Sequence, residues 1–510
     1  MNPAIIGAIF VIVLYLTASI SIGLYSGRQN LNTSEDYFVA NRSLGLTVMF
    51  FTLFATNISA FAYMGAPGGA YHLGTGFFGY LATTTSLSAI FFYLIGYRCW
   101  LLGKKYSFMT PAELFGKRYE SKALSVVIFL VYIFFTVPYM AVQPIGAGYI
   151  LSGLTKGTIP LWVGVLMIVV FVGVYVYIGG LRAVAWTDLF QGIVMIACVM
   201  LAFFLITSKI GGPVVVTQDV MSNYPELLTR QKFTIKSWIN FGLMIMLCIS
   251  VFPQMFTKFF AAKSSKALKL SASLYPLAMV VIYIPVLFIG VYGHTIFPNL
   301  QGKESDQIIP MVLGNYYALW IGAILLSAVF AAIMSSFSSQ LITISTLFTK
   351  DIYIRYIDKK ANNAKQIAIG RICTCVLVIL TVIIALKPPA TILAIVTWAF
   401  SGYALLAPAF LAGLYWKRST SIGAIASILS GESVLLLCGI GIFPKSLMFG
   451  FDAFVPSLIV SIITLVLVSF CTRASEVEKK TATELHNYLD PIFTDNRIKN
   501  PKSRDESFSV

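Results

Sequence analysis

Of the 510 residues, 58% are hydrophobic and only 11% are charged, and the mean hydropathy is +0.84. A soluble domain carries about 25% charged residues, so a water-soluble globular fold is excluded. The net charge of +16 would suit a nucleic-acid binder, but the basic residues do not form patches interleaved with aromatics, so none is expected.

Apolar stretches long enough to cross a hydrocarbon core about 30 Å thick recur along the chain. About 13 are expected, at 3–26, 44–66, 76–102, 123–152, 159–178, 184–208, 237–260, 270–297, 312–346, 367–387, 391–416, 420–442 and 453–472. The first has no Lys or Arg before it, so it reads as a retained span and not as a cleaved leader. The second carries Asn57 and Ser59 near its middle and leaves through Gly65-Ala66-Pro67-Gly68-Gly69, which predicts a broken helix. The sixth begins near Gly179-Gly180 and holds Asp188, an acid whose place in or beside the hydrocarbon marks a functional group or, alternatively, a helix cap.

In the seventh, Pro253 removes a backbone donor inside an apolar run, with Gln254 beside it, so a second break is expected. Ordinary packed kinks are the alternative for each, but the two breaks lie five spans apart, the offset of a five-plus-five inverted repeat preceded by one helix. The ninth stretch is overlong, predicting tilt or protrusion, and is rich in hydroxyls from Ser327 to Thr346. At helical spacing Ala332, Ser335, Ser336 and Ser339 share a stripe, with Ser335, Ser338 and Ser339 staggered beside it. Hard cations take oxygen ligands, so this stripe can hold a monovalent ion with carbonyls of an unwound partner; a small-residue packing face is the alternative. Glu432, beside Gly431, reads as packing.

From 474 onward the chain is expected to be a solvated polar tail, leaving 1–473 as the membrane domain with core repeats at about 44–208 and 237–416. Alternate loops and the tail hold 28 of the 36 Lys and Arg, among them Lys258, Lys263, Lys266 and Lys269; the other loops hold 8. This asymmetry sets the N-terminus outside and the C-terminus in the cytoplasm. The seven cysteines lie in or at the ends of apolar stretches and the three histidines form no cluster, so neither a disulfide framework nor a metal centre is expected. There is no GxxxxGK[ST] loop and no nucleophile–base set, so the chain reads as a carrier and not an enzyme or ATP-driven pump.

Ala55-Thr56-Asn57-Ile58-Ser59-Ala60, Gly179-Gly180-Leu181-Arg182-Ala183-Val184-Ala185-Trp186-Thr187-Asp188, Phe252-Pro253-Gln254-Met255-Phe256, Ala332-Ile333-Met334-Ser335-Ser336, Thr349-Lys350-Asp351-Ile352-Tyr353 and Gly413-Leu414-Tyr415-Trp416-Lys417-Arg418 together resemble the sodium:solute symporter family. The resemblance implies an all-α polytopic membrane protein with a leucine-transporter-like 5+5 inverted repeat, one extra N-terminal helix and two extra C-terminal helices. It implies sodium as coupling ion, with no other cofactor, held by carbonyls of Ala55, Ile58 and Ala332 and the hydroxyls of Ser335 and Ser336. Members with a second sodium carry an acid and hydroxyls where this chain has Asp188, Ser335, Ser338 and Ser339.

The resemblance places the solute near Asn57, Phe61, Tyr63, Phe252 and Gln254. Sugar carriers of the family have Glu-Gln where this chain has Phe61-Ala62, and proline carriers have Asp where it has Asn57, which leaves a small carboxylate or amino acid as the preferred solute. The expected protein imports that solute with sodium by alternating access in a bacterial inner membrane, with the bilayer as its surroundings, and a monomer is compatible with this. A membrane sensor without transport is the alternative, against which the tail is too short to carry a signalling module.

Overall fold

The computed structural model describes residues 3–29 and 31–494. The main helices are α1 (Pro3–Gly27), α2 (Leu46–Asn57), α3 (Phe61–Leu73), α4 (Gly76–Tyr106), α5 (Lys122–Leu154), α6 (Leu161–Lys209) and α7 (Ile235–Val251). They continue as α8 (Pro253–Ala261), α9 (Ser265–Ile296), α10 (Leu319–Ile357), α11 (Asn363–Ala385), α12 (Ile392–Tyr415), α13 (Ser421–Gly439), α14 (Phe454–Cys471) and α15 (Glu476–Thr494). Helix starts are written in the sequence: the hydroxyls of Ser121, Thr234, Ser264, Thr391 and Thr420 each accept an N–H from the first turn of the span that follows.

Ten of these helices are long and apolar enough to cross a membrane, and α2 with α3 and α7 with α8 form two more spans, each bent. At 1.5 Å per residue the 49-residue α6 would be about 74 Å long, more than twice the hydrocarbon thickness. It is two rods meeting at Gly180, whose backbone (φ 56°, ψ −150°) is open to glycine alone. A Cβ there would also lie 2.4 Å from the Tyr37 carbonyl oxygen. With α6 divided, every apolar stretch expected from hydropathy has its span.

The core is α10. Every residue from Leu325 to Leu347 is buried, because α6, α1, α5, α2 and α11 surround the rod. Such enclosure requires small side chains wherever helices approach closely, so the serine-rich composition serves packing as well as any ion.

Two expectations need correction. The overlong ninth stretch is not one rod: Ile308–Tyr316 is a separate short helix, and α10 starts at Leu319 after an extended residue at Tyr317, although its 39 residues still exceed what a hydrocarbon core about 30 Å thick requires. The segment after 474 is not a free polar tail as far as Asp490. Ala482, Leu485 and Leu489 form a buried stripe of α15, and the Ser421 N–H donates to Glu478 Oε1 at 2.6 Å. The Thr481 hydroxyl donates to Glu120 at 2.7 Å, which ties the same helix to the turn before α5. Residues 495–510 lie outside the described residues.

Candidate functional site

The bend between α2 and α3 is 56°, and that between α7 and α8 is 45°. At the first, Ile58 is extended (φ −81°, ψ 116°), and the helical ladder is replaced donor by donor. The Ala60 N–H, which an unbroken helix would give to Thr56, donates to Gln143 Oε1 of α5 at 3.0 Å. The Phe61 N–H donates to Ser59 Oγ at 3.2 Å, and the Ala62 N–H to the Ser59 carbonyl at 2.9 Å. The carbonyls of Thr56, Asn57 and Ile58 are thereby released from intrahelical bonding inside the membrane domain.

Two of these carbonyls face α10. Ser336 Oγ lies 2.9 Å from the Thr56 oxygen and 2.9 Å from the Ile58 oxygen. One hydroxyl proton cannot serve both at once, so the three oxygens form a compact, electron-rich cluster. Of the expected ligands Ile58 and Ser336 meet in this cluster, its other carbonyl being that of Thr56; Ala55, Ala332 and Ser335 are fully buried as well.

Beside Ser336 on α10, Ser335 meets Asp188, which stands eight residues past the Gly180 bend and is fully buried, so it is not an interfacial cap. Its Oδ1 accepts the Ser335 hydroxyl at 2.6 Å. Its Oδ2 accepts the Thr52 hydroxyl, the Thr56 hydroxyl at 3.4 Å and the Lys258 ammonium at 3.1 Å. Ser338 and Ser339 do not converge on it. Ser338 donates to the Ser335 carbonyl at 3.0 Å, and Ser339 shares a hydrogen with Thr56 Oγ1 at 2.9 Å.

Lys258 is the residue that sequence reasoning misplaced. Counted there among the loop cations, it is fully buried beside Asp188, and among the described residues it is the only buried lysine. Its place after the second break was visible, since Lys258 stands five residues past Pro253 within an apolar run. Thr52, Thr56 and Gln143 were missed too, although a Gln in the middle of an apolar stretch was a usable signal.

The residues expected around a solute divide. Phe61 and Phe252 meet Phe400, with ring centroids 6.3 and 4.9 Å apart. Phe252 also lies 5.2 Å from Tyr403, and Tyr139 lies 5.3 Å from Phe400, so an aromatic group gathers beside both breaks. Gln254, two residues after Phe252, is fully buried, and its amide has no hydrogen-bond partner among the described residues. Asn57 turns toward α9 and donates to Tyr275 Oη at 2.5 Å. Tyr63 points away from the aromatic group, and its hydroxyl donates to the Met195 carbonyl at 3.4 Å. Glu432 lies elsewhere, buried where α13 packs on α14.

Comparison with known proteins adds four findings. The model of the sodium:solute symporter family matches residues 37–431. The chain is 30% identical to the sodium/pantothenate symporter of Haemophilus influenzae, over 90% of this chain and 95% of that one. It is 27% identical to the osmoregulated proline transporter OpuE of Bacillus subtilis, over 90% and 94% respectively. Among solved structures, a sodium-coupled sialic acid symporter in a substrate-bound outward-open state superposes with a TM-score of 0.75 at 17% identity, covering 92% of this chain and 99% of that one. At that identity the likeness concerns the fold, which is leucine-transporter-like.

Proposed function

The chain belongs to the sodium:solute symporter family, and from that premise we propose that it imports a small polar organic solute together with sodium by alternating access. The observation that carries this reading is the Ser336 hydroxyl set 2.9 Å from two carbonyls that the first break has released. Oxygen atoms of Ala55, Ile58, Ala332, Ser335 and Ser336 replace the water shell of the ion. Bound there, sodium ties α10 to the break, which favours the state that accepts solute from outside. A rocking motion then opens the inner side, where sodium is scarce and leaves. One charge moving inward across 100 mV releases about 2.3 kcal/mol before any concentration term.

The solute sits against Phe61, Phe252 and Phe400, within reach of Gln254. Phe61 and Phe252 stand at the N-terminal ends of α3 and α8, and positive helix ends attract an anionic group. This supports a small carboxylate or amino acid, in keeping with relatives described as pantothenate and proline carriers. The basic asymmetry of the loops supports an external N-terminus and a cytoplasmic C-terminus in a bacterial inner membrane.

The test is uptake of radiolabelled pantothenate, proline and short monocarboxylates into proteoliposomes, with an inward sodium gradient and with choline in its place. Accumulation of at least one solute that vanishes in choline is the expected result. Equal uptake in both media would reject sodium coupling.

A further inference from the structure

Resemblance leads one to expect a second sodium at Asp188, Ser335, Ser338 and Ser339, and the geometry does not fit it. Both oxygens of the Asp188 carboxylate already have partners, one of them a cation: Oδ1 takes the Ser335 hydroxyl at 2.6 Å, and Oδ2 takes Thr52, Thr56 and the Lys258 ammonium at 3.1 Å. Ser338 and Ser339 turn their hydroxyls to the Ser335 carbonyl and to Thr56, and neither meets the carboxylate. The single negative charge is matched by a single positive charge, and both side chains are fully buried. A sodium added there would put two cations on one carboxylate, in a medium where like charges repel strongly.

We infer that Lys258 is a tethered cation standing where a second sodium would otherwise bind, so that the protein couples its solute to one sodium ion per cycle. This rests on the sodium reading of the Ser336 cluster. The tether has a mechanical side as well. Lys258 belongs to α8 and its partner Asp188 to α6, and the same carboxylate takes hydroxyls from Thr52 of α2 and Ser335 of α10, so the ion pair fastens the second broken helix to the core that carries the sodium ligands. A free ion in that place would be exchanged in each cycle. An ammonium on a side chain stays with α8 and adds no charge to what is carried across. The neighbouring residue Thr257 meets the Thr343 hydroxyl of α10 at 3.1 Å, so α8 is held to the core by an uncharged contact as well, one that does not involve the ammonium.

The experiment is equilibrium binding of radioactive sodium to the purified full chain in detergent, counted per chain. One ion is expected for the wild type. Lys258→Met frees the carboxylate and is expected to bind two, and Lys258→Met with Asp188→Asn returns the count to one. Two ions on the wild type, or one on a monodisperse Lys258→Met protein, would overturn the inference. If Lys258→Met does not fold, the wild-type count together with Lys258→Arg, which keeps the tethered charge and is expected to bind one ion, decides the matter. Sodium binding that is unchanged in Ser336→Ala would instead sink the sodium reading of the first cluster, a result separate from either count.

Discussion

Gln143 does the work of a missing turn of helix. Its side-chain oxygen receives the Ala60 N–H at 3.0 Å, and in doing so it keeps that donor from the Thr56 carbonyl, which is left to face Ser336. Gln143→Leu would leave a buried N–H without a partner, a cost of about 1–3 kcal/mol, or let the helix close over residues 57–60. Either way the variant is expected to melt earlier than wild type, and to lose most of the rise in melting temperature that sodium gives. Calorimetry in detergent with sodium or choline checks both effects; a sodium-induced rise equal to that of wild type would contradict the assignment. Ser335, Ser336 and Asn57 were legible as polar residues in apolar runs. The donor that releases the carbonyls was not, because nothing in one stretch of sequence says that a glutamine 83 residues onward answers it.

Among elements, the two breaks were the most readable features, and for different reasons. Asn57 and Ser59 with the Gly/Pro exit marked the first, and Pro253 marked the second by its missing donor. The second break is also held from outside, since the Tyr132 hydroxyl donates to the Val251 carbonyl at 2.8 Å. Pro253→Ala restores an N–H and removes the ring that excludes a continuing helix. Half-maximal solute concentration is expected to rise in this variant while sodium binding without solute stays as in wild type, because the carbonyls at the first break are untouched. Uptake kinetics and sodium binding, measured side by side, distinguish this from general misfolding. The split of the ninth stretch falls at Tyr317 and Ala318, which are neither Gly nor Pro; the one stop signal, Gly314-Asn315 just before it, was masked by the apolar runs on either side. The docking of α15 was readable in principle: Ala482, Leu485 and Leu489 recur at helical spacing, but the many charges between them masked it.

At the scale of the molecule, the thirteen spans followed from hydropathy, since the bilayer allows little besides helices, and their five-span offset followed from the polar, Gly and Pro residues at the two breaks. What hydropathy could not supply is where buried charge is answered. Asp36 meets Arg182 at 2.6 Å, whereas Lys258, assigned to a loop, proved to be the core partner of Asp188. A further acid, Asp306, sits in the connection before the Ile308–Tyr316 helix, accepts the Ile392 N–H at 3.1 Å and is hemmed in by Gly68. Burial pushes its carboxyl up to about 6 from the ordinary 3.8. The folded protein therefore holds a proton that the unfolded chain has lost between about pH 4 and pH 6, and stability falls as pH rises through that window. The loss is of order 3 kcal/mol. Asp306→Asn is expected to flatten the melting temperature across this range, and an unchanged slope would reject the assignment.

The most direct test of the central claim is the sodium activation curve of solute uptake, recorded for wild type and Ser336→Ala in proteoliposomes. If the Ser336 hydroxyl and the carbonyls of a broken helix hold the coupling ion, loss of one oxygen ligand shifts the half-activating sodium concentration upward by about tenfold or more, corresponding to about 1.4 kcal/mol. Maximal uptake at saturating sodium is then largely retained. Superimposable curves for the two proteins would contradict it.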